Sequence, residues 1–421
     1  MVFLHPLINN KLLLLVFCMA LCVASSAGAQ QTPLTKLLLD NRYELVVQNG
    51  EMSGPGAQFL SRLISEAQFV AIGEQHGTQE VPQFVGATCR VMASGRLDAM
   101  AIEAGPFVTA KLQLWTSDSR GSNNLAAFEK QYPNSLAFFS WQQEFDLLSR
   151  CQQVTAPSKL QLWGLDQEFL GSAGFLLQEI LATHPDPKST VIAQRLLAQC
   201  SADMQKAIAS GSWMDLCMFR PAADFLSLES ALAKNGSVRA KPLAAALVKT
   251  QHIYSLFVSG QHYESNRERG LLLKHNFVMN YERLSKMNGR PPRVLLKFGG
   301  NHLYKGFDET NLNDLGNFVT EFADGLGSKS LHIEVFGVRG EQAQEPGPGK
   351  HDKAVVSMDP VSPLAPIYAA IYPYKWTVLD LRPLRSEFHS LGHVDRELER
   401  VIFGYDILVM IPEVTAQASV Q

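Results

Sequence analysis

Much of what would place this chain quickly is missing from it. After residue 29 no apolar run approaches the roughly 20 residues that a membrane-crossing helix needs. The 37 basic residues are nearly balanced by 40 acidic ones, so there is no electrostatic footprint for nucleic acid, and the expected ligand is a small molecule, a peptide or a prosthetic group. No serine stands in a G-x-S-x-G elbow, which argues against an α/β-hydrolase triad. Gly325-x-Gly327-Ser328 lacks the lysine of a phosphate-binding loop and reads as a turn. There are 6 cysteines but no C-x-x-C and no C-x-x-C-H, which excludes a redox dithiol, a zinc knuckle and c-type haem attachment.

The first 29 residues read as a leader. Lys11 precedes the apolar run Leu12 to Ala24, and Ala27-Gly28-Ala29 offers small residues at the −3 and −1 positions, placing cleavage before Gln30. Large residues before Cys18 and Cys22 disfavour a lipoprotein signal, so a secreted or periplasmic product is expected, with a retained anchor as the alternative. Cys89, Cys151, Cys200 and Cys217 remain. In an oxidising compartment they allow three pairings, the shortest loop being Cys200 with Cys217, and free buried thiols stand as the other reading.

The stretch that organises the rest is Val70-Ala71-Ile72-Gly73-Glu74-Gln75-His76-Gly77-Thr78. Phe69 to Ile72 have the continuous hydrophobicity of a strand covered on both faces, and Gly73 marks a close approach to the backbone. Glu74 and His76, two apart, share a face at the strand's carboxyl end, where ligands sit in open α/β sheets. Thr78 is a candidate N-cap for the helix that follows. The design then repeats. Leu97 to Glu103 and Leu160 to Asp166 are apolar strands closed by a carboxylate, and Arg293 to Phe298 is a strand that delivers Gly299-Gly300-Asn301-His302. Each acid taken alone has the blander reading of a helix cap. Further strands are expected at Leu331 to Phe336, Trp376 to Leu381 and Ile407 to Ile411.

Between Gly171 and Gly289 the pattern is helical, with Arg269 and Asn276 two turns apart on one apolar face and in need of polar partners. The expected architecture is therefore α/β: a central, mostly parallel sheet flanked by helices, with a helical insertion forming a cap. Its divisions are residues 1–29 as leader, 30–170 as the first part of the α/β body, 171–290 as the insertion and 291–421 as the second part. His389 and His393, at i and i+4, read as a surface helix, with metal binding on that helix as the alternative.

Glu74, His76, Glu103, Asp166 and His302 would converge on one rim. Mixed imidazole and carboxylate ligands suit a divalent transition metal such as Mn, Zn or Co, which would activate water. Without a metal, His76 would take a proton from water oriented by Glu103, and Arg269 would stabilise the oxyanion.

These pieces together resemble the superfamily that joins erythromycin esterase-like enzymes, ChaN-like haem-binding proteins and Tiki/TraB proteins, over about residues 68 to 305. The resemblance implies an α/β fold with a shared pocket, His76 as catalytic base, Glu103 as activating carboxylate, and Arg269 and His302 as the remaining pocket residues. The superfamily hydrolyses macrolide lactones, cleaves peptides with a metal, or binds haem. One residue between Glu74 and His76 matches the ChaN-like and Tiki pattern, and Gly299 stands where the esterases commonly carry a second histidine. The expectation is an exported, metal-assisted or general-base hydrolase of an ester or amide. The alternative is a haem-binding module with His302, His76 or Tyr304 as axial ligand.

Overall fold

The computed structural model describes residues 32–344, 347–350 and 352–420, so the expected leader lies outside the described residues. The strands are β1 (Arg42–Gln48), β2 (Glu51–Ser53), β3 (Phe69–Glu74), β4 (Ala99–Ile102), β5 (Gln161–Gly164), β6 (Val294–Gly299), β7 (Ser330–Gly337), β8 (Arg339–Ala343), β9 (Lys353–Ser357), β10 (Trp376–Asp380) and β11 (Ile407–Ile411). Nine of them form one sheet in the order β2-β1-β10-β11-β7-β3-β6-β4-β5, and β8 pairs with β9 apart from it. From β11 to β5 neighbouring strands run parallel, while β10, β1 and β2 extend that sheet with antiparallel pairings.

The apolar strands of the sequence are the centre of this sheet. Every residue of β3 and β4 is buried, as expected where helices cover both faces. Alternate residues go to opposite sides. Val70 and Ile72 join the core beneath the helices Glu80–Gly95 and Gln142–Thr155, while Phe69 and Ala71 pack with Phe277 of the helix His262–Asn288 and Val319 of the helix Leu315–Gly325. Full burial of a side chain such as Ile72 or Leu296 stabilises by about 1.5–3 kcal/mol. Ile72→Asp would therefore lose that and bury an unpaired charge as well.

Neighbouring strands β3 and β6 part company at their carboxyl ends. The chain leaves β3 toward β4 and leaves β6 toward β7, in opposite directions across the sheet. Such a reversal opens a crevice in which a ligand can sit. Residues 173–288 contribute helices only, and several of their side chains, among them Phe225, Leu228 and Leu243, belong to the same buried cluster as Val70 and Ile102. Both disulfides form, Cys89–Cys151 and Cys200–Cys217, the first tying together the two helices beneath β3.

Two local expectations change. No helix joins His389 to His393: His389 sits in a short 3-10 turn, and Gly392, at φ 81°, breaks the chain before His393. Both rings are exposed and carry no site. Thr78 does not cap the helix Glu80–Gly95, because its backbone is bridged to Ala416 of the C-terminal segment instead.

Candidate active site

Each strand end delivers its polar group to one place. Glu74 is the last residue of β3, Glu103 follows β4 directly, Asp166 lies two residues past β5, and His302 sits in the single turn Gly300–Leu303 after β6. The helix His262–Asn288 adds Arg269 and Asn276 from above. Asn276 donates to the carbonyl of Leu165 at 2.7 Å and so fixes that helix to the end of β5. The face shared by Arg269 and Asn276 thus finds its partners at the sheet rim.

The side chains form a chain of alternating charge. At its inner end Lys297 is 2.9 Å from Glu144 and 2.6 Å from Glu74. Glu74 then holds Nδ1 of His76 at 2.8 Å. Nε2 of His76 faces Glu103 Oε2 at 3.5 Å, longer than a direct hydrogen bond. Glu103 is itself held by the backbone N–H of Gly299 at 2.7 Å and by Nη2 of Arg269 at 2.7 Å. Arg269 grips Asp166 through Nε at 2.9 Å and through Nη2. His302 places Nε2 3.5 Å from Glu103 Oε1 and engages Asp314 through Nδ1 at 2.7 Å.

Burial makes each of these charges depend on its neighbours. For His76, burial alone would lower the pKa, but the Glu103 and Glu74 carboxylates outweigh it and lift it to about 9. His302 is pushed down by burial and by Arg269, yet Glu103 and Asp314 carry it up to about 10. Glu103, which burial would raise, is held well below the usual carboxylate range by His302 and His76. Glu74 is lowered in the same way, with burial overcome by Lys297 and His76. Glu144 goes the other way: burial wins over Lys297, and its pKa is raised.

Two glycines shape the site. A Cβ on Gly299 would lie 2.8 Å from Nε2 of His76, in the gap between that imidazole and Glu103. A Cβ on Gly73 would collide with Glu334 and Tyr405, which press on the back of β3, and this is the close approach that the glycine predicts. Glu334 is lifted to about 8 by burial.

An apolar cavity of about 410 Å³ opens onto this rim, with Glu103, Asp166 and Arg269 in one wall and Phe138, Phe169 and Trp213 among the others. Phe138 also stacks on His76, ring centroids 3.7 Å apart. The C-terminal segment holds both rings' loops. Gln417 N donates to Gly77 O and Gln79 N to Thr415 O, while Gln142 N donates to Ala418 O and Val420 N to Ser140 O. Gln417 Nε2 bonds Glu144 and the Thr78 carbonyl, both at 2.9 Å.

Sequence reasoning missed Lys297, Glu144, Asp314, Phe138 and Gln417. A lysine inside the otherwise apolar Val294–Phe298 was a visible signal, since a charge in a strand covered on both faces must be paired. Nothing local marked Glu144 or Gln417.

The expected metal site does not fit these donors. Among the described residues no group of three or more His, Cys, Asp or Glu side chains is arranged to hold a metal ion. Of the set Glu74, His76, Glu103, Asp166 and His302, the carboxylates are engaged by Lys297, Arg269 or an imidazole, and each imidazole has its two ring nitrogens turned to carboxylates of the same set or to Asp314. Haem meets the same obstacle: His76 and His302 have both ring nitrogens turned to carboxylates, and Tyr304 donates its hydroxyl to the Arg400 carbonyl.

No family model matches the chain, and comparison with curated proteins finds no relative. Solved structures do share its fold. A protein from Bacillus cereus superposes with a TM-score of 0.59 at 14% identity, covering 92% of this chain and 98% of that one. An erythromycin esterase EreC mutant in its open conformation gives 0.59 at 15% identity, over 90% of this chain and 99% of that one. A succinoglycan biosynthesis protein gives 0.58 at 15% identity, over 91% and 97%. At these identities the likeness establishes the α/β architecture.

Proposed function

We propose that this protein hydrolyses an ester or amide bond by general-base chemistry at His76, and that it works outside the cytoplasm. The observation that carries the reading is the placing of His76 between Glu74 and Glu103, with Arg269 and His302 on the opposite oxygen of Glu103. Glu74 holds the Nδ1–H and so leaves Nε2 facing the crevice. The neutral imidazole takes a proton from water there as the water oxygen bonds to the substrate carbonyl carbon. Charge building on the carbonyl oxygen meets Arg269 and the His302 imidazolium, two half-buried cations fixed in place by the carboxylates around them. The bond to the leaving group then breaks, and His76 returns the proton to the departing alkoxide or amine.

The esterase among the structural neighbours agrees with this reading. The walls of the 410 Å³ cavity favour a substrate with a largely apolar body. Two disulfides suit an oxidising compartment, which supports the leader reading and export. The test is turnover of ester, lactone and amide panels by the mature protein at pH 9 after treatment with a chelator. Hydrolysis that survives the chelator and disappears in His76→Ala and Glu103→Gln is the expected result. Turnover that His76→Ala leaves intact would overturn the assignment.

A further inference from the structure

The 410 Å³ cavity has an apolar mouth. Met214, Phe257 and Val258 line it, yet they are 57%, 52% and 42% exposed, so the same three residues face both the cavity and the solvent. Phe138, which stacks on His76, carries the apolar lining on to the catalytic rim. Among the described residues of that lining the charged ones are Glu103, Asp166 and Arg269, paired with one another at the rim.

The exposed side chains are held where they are. Met214 belongs to the 3-10 turn Trp213–Asp215, which is fastened to the helix Pro187–Ser210 by Lys206 to Asp215 at 2.6 Å, by Ser210 Oγ to Asp215 at 2.7 Å and, two residues on, by Cys200–Cys217. Phe257 and Val258 end the helix Ala240–Val258, whose Tyr254 packs edge-on against Phe219 from the segment just after that turn, ring centroids 6.1 Å apart. A fold gains nothing by fixing three large apolar side chains in water around one opening, and patches of this kind mark contact with another protein or with lipid. The cavity decides between the two. A protein surface would cover the mouth and leave the apolar walls inside unfilled, whereas a hydrocarbon chain lies against the mouth and also enters.

We infer that the mouth docks on a lipid surface and that the cavity admits an acyl chain of an amphiphile from it, so that the ester or amide carrying the chain meets the rim. This rests on the hydrolase reading only for what then happens to the amphiphile; docking itself requires no turnover.

The experiment mixes the mature protein with phosphatidylcholine vesicles, with and without dibrominated acyl chains, and follows co-sedimentation and tryptophan quenching, since Trp213 lines the cavity. The wild type is expected to pellet with the vesicles, and the brominated chains to quench a part of its fluorescence that Trp213→Phe removes. Met214→Ser combined with Phe257→Ser should lower the partition at least about tenfold, because two large apolar side chains no longer gain from burial in lipid. Wild type left in the supernatant, a double variant that partitions as well as wild type, or quenching that Trp213→Phe leaves intact would each overturn the inference. Self-association of the wild type without vesicles, abolished in the double variant, would also overturn it, since the mouth would then face a second copy of this chain. Trp213→Phe, a change between aromatic rings, keeps the test open should the double variant fail to fold. Docking without hydrolysis of any ester or amide would leave this inference standing and remove the hydrolase reading; hydrolysis without docking would do the reverse.

Discussion

The rings of His76 and Phe138 lie 3.7 Å apart and within 13° of parallel, although they come from different loops that the C-terminal segment laces together. Phe138 covers one face of the imidazole, and the side chain of His76 remains 25% exposed. This places a charged ring at the border between the polar rim and the apolar cavity, where its protonation state decides what it can do.

With a pKa of about 9, His76 is about 1% neutral at pH 7. Hydrolysis should therefore rise about tenfold per pH unit up to about pH 9 and then level off. Removing the Glu74 charge with Glu74→Gln takes away one of the groups that raise the pKa, so the limb should move to lower pH. A pH–rate profile of kcat/KM checks both, and a flat profile between pH 7 and pH 9 contradicts the assignment of the base.

Stability should fall as pH rises through the same range. His76 and His302 are raised above the unfolded value of about 6.5, so their contribution is fully present below that pH and is lost as pH rises through about 9 and about 10. Glu103 is depressed, so its contribution is present above about 4.3 and fades as pH falls through its folded value. Thermal melts from pH 5.5 to 10.5 should show Tm falling from about pH 6.5 upward and this contribution levelling off by about pH 10, with a smaller fall in His302→Gln.

Gly299 tests whether the gap between His76 and Glu103 is functional space. Its φ of −54° is open to any residue, so Gly299→Ala leaves the backbone unstrained while placing a methyl against Nε2 of His76. The expected result is a loss of about 100-fold in kcat with Tm within a few degrees of wild type. A fully active alanine variant would show that the gap plays no part.

Gln417 joins the C-terminal segment to the inner end of the charge chain. In Gln417→Ala, Glu144 and the Thr78 carbonyl each lose a buried donor, which should cost about 1–3 kcal/mol in urea unfolding. Replacement by Met tests whether volume alone accounts for the loss, in which case Met would restore stability.

Cys89–Cys151 closes a loop of 62 residues across the two helices beneath β3. Chain-entropy reasoning gives about 4 kcal/mol for a loop of that length. The Cys89→Ser, Cys151→Ser double variant should unfold at correspondingly lower denaturant, and reduction of the wild type, which also opens Cys200–Cys217, should lower it at least as far. Equal stability of reduced and oxidised protein would argue against the bond in solution.

The strands, their carboxyl ends and seven of the polar groups at the rim, His76 among them, were legible in the chain. A strand buried on both faces must be apolar throughout, and a polar residue at its end therefore stands out, as Glu74, Glu103, Asp166 and His302 do. Arg269 and Asn276 stood out because helical periodicity put two polar side chains on an apolar face. Tertiary structure alone decided what those groups are. Local sequence carries no record of Lys297 reaching Glu74, of Arg269 closing on Asp166, or of Gln417 crossing 273 positions to Glu144. Such pairings turn an expected set of metal ligands into a buried network of opposite charges, because the free energy of a charge away from water depends on which partner folding brings within a few ångströms of it.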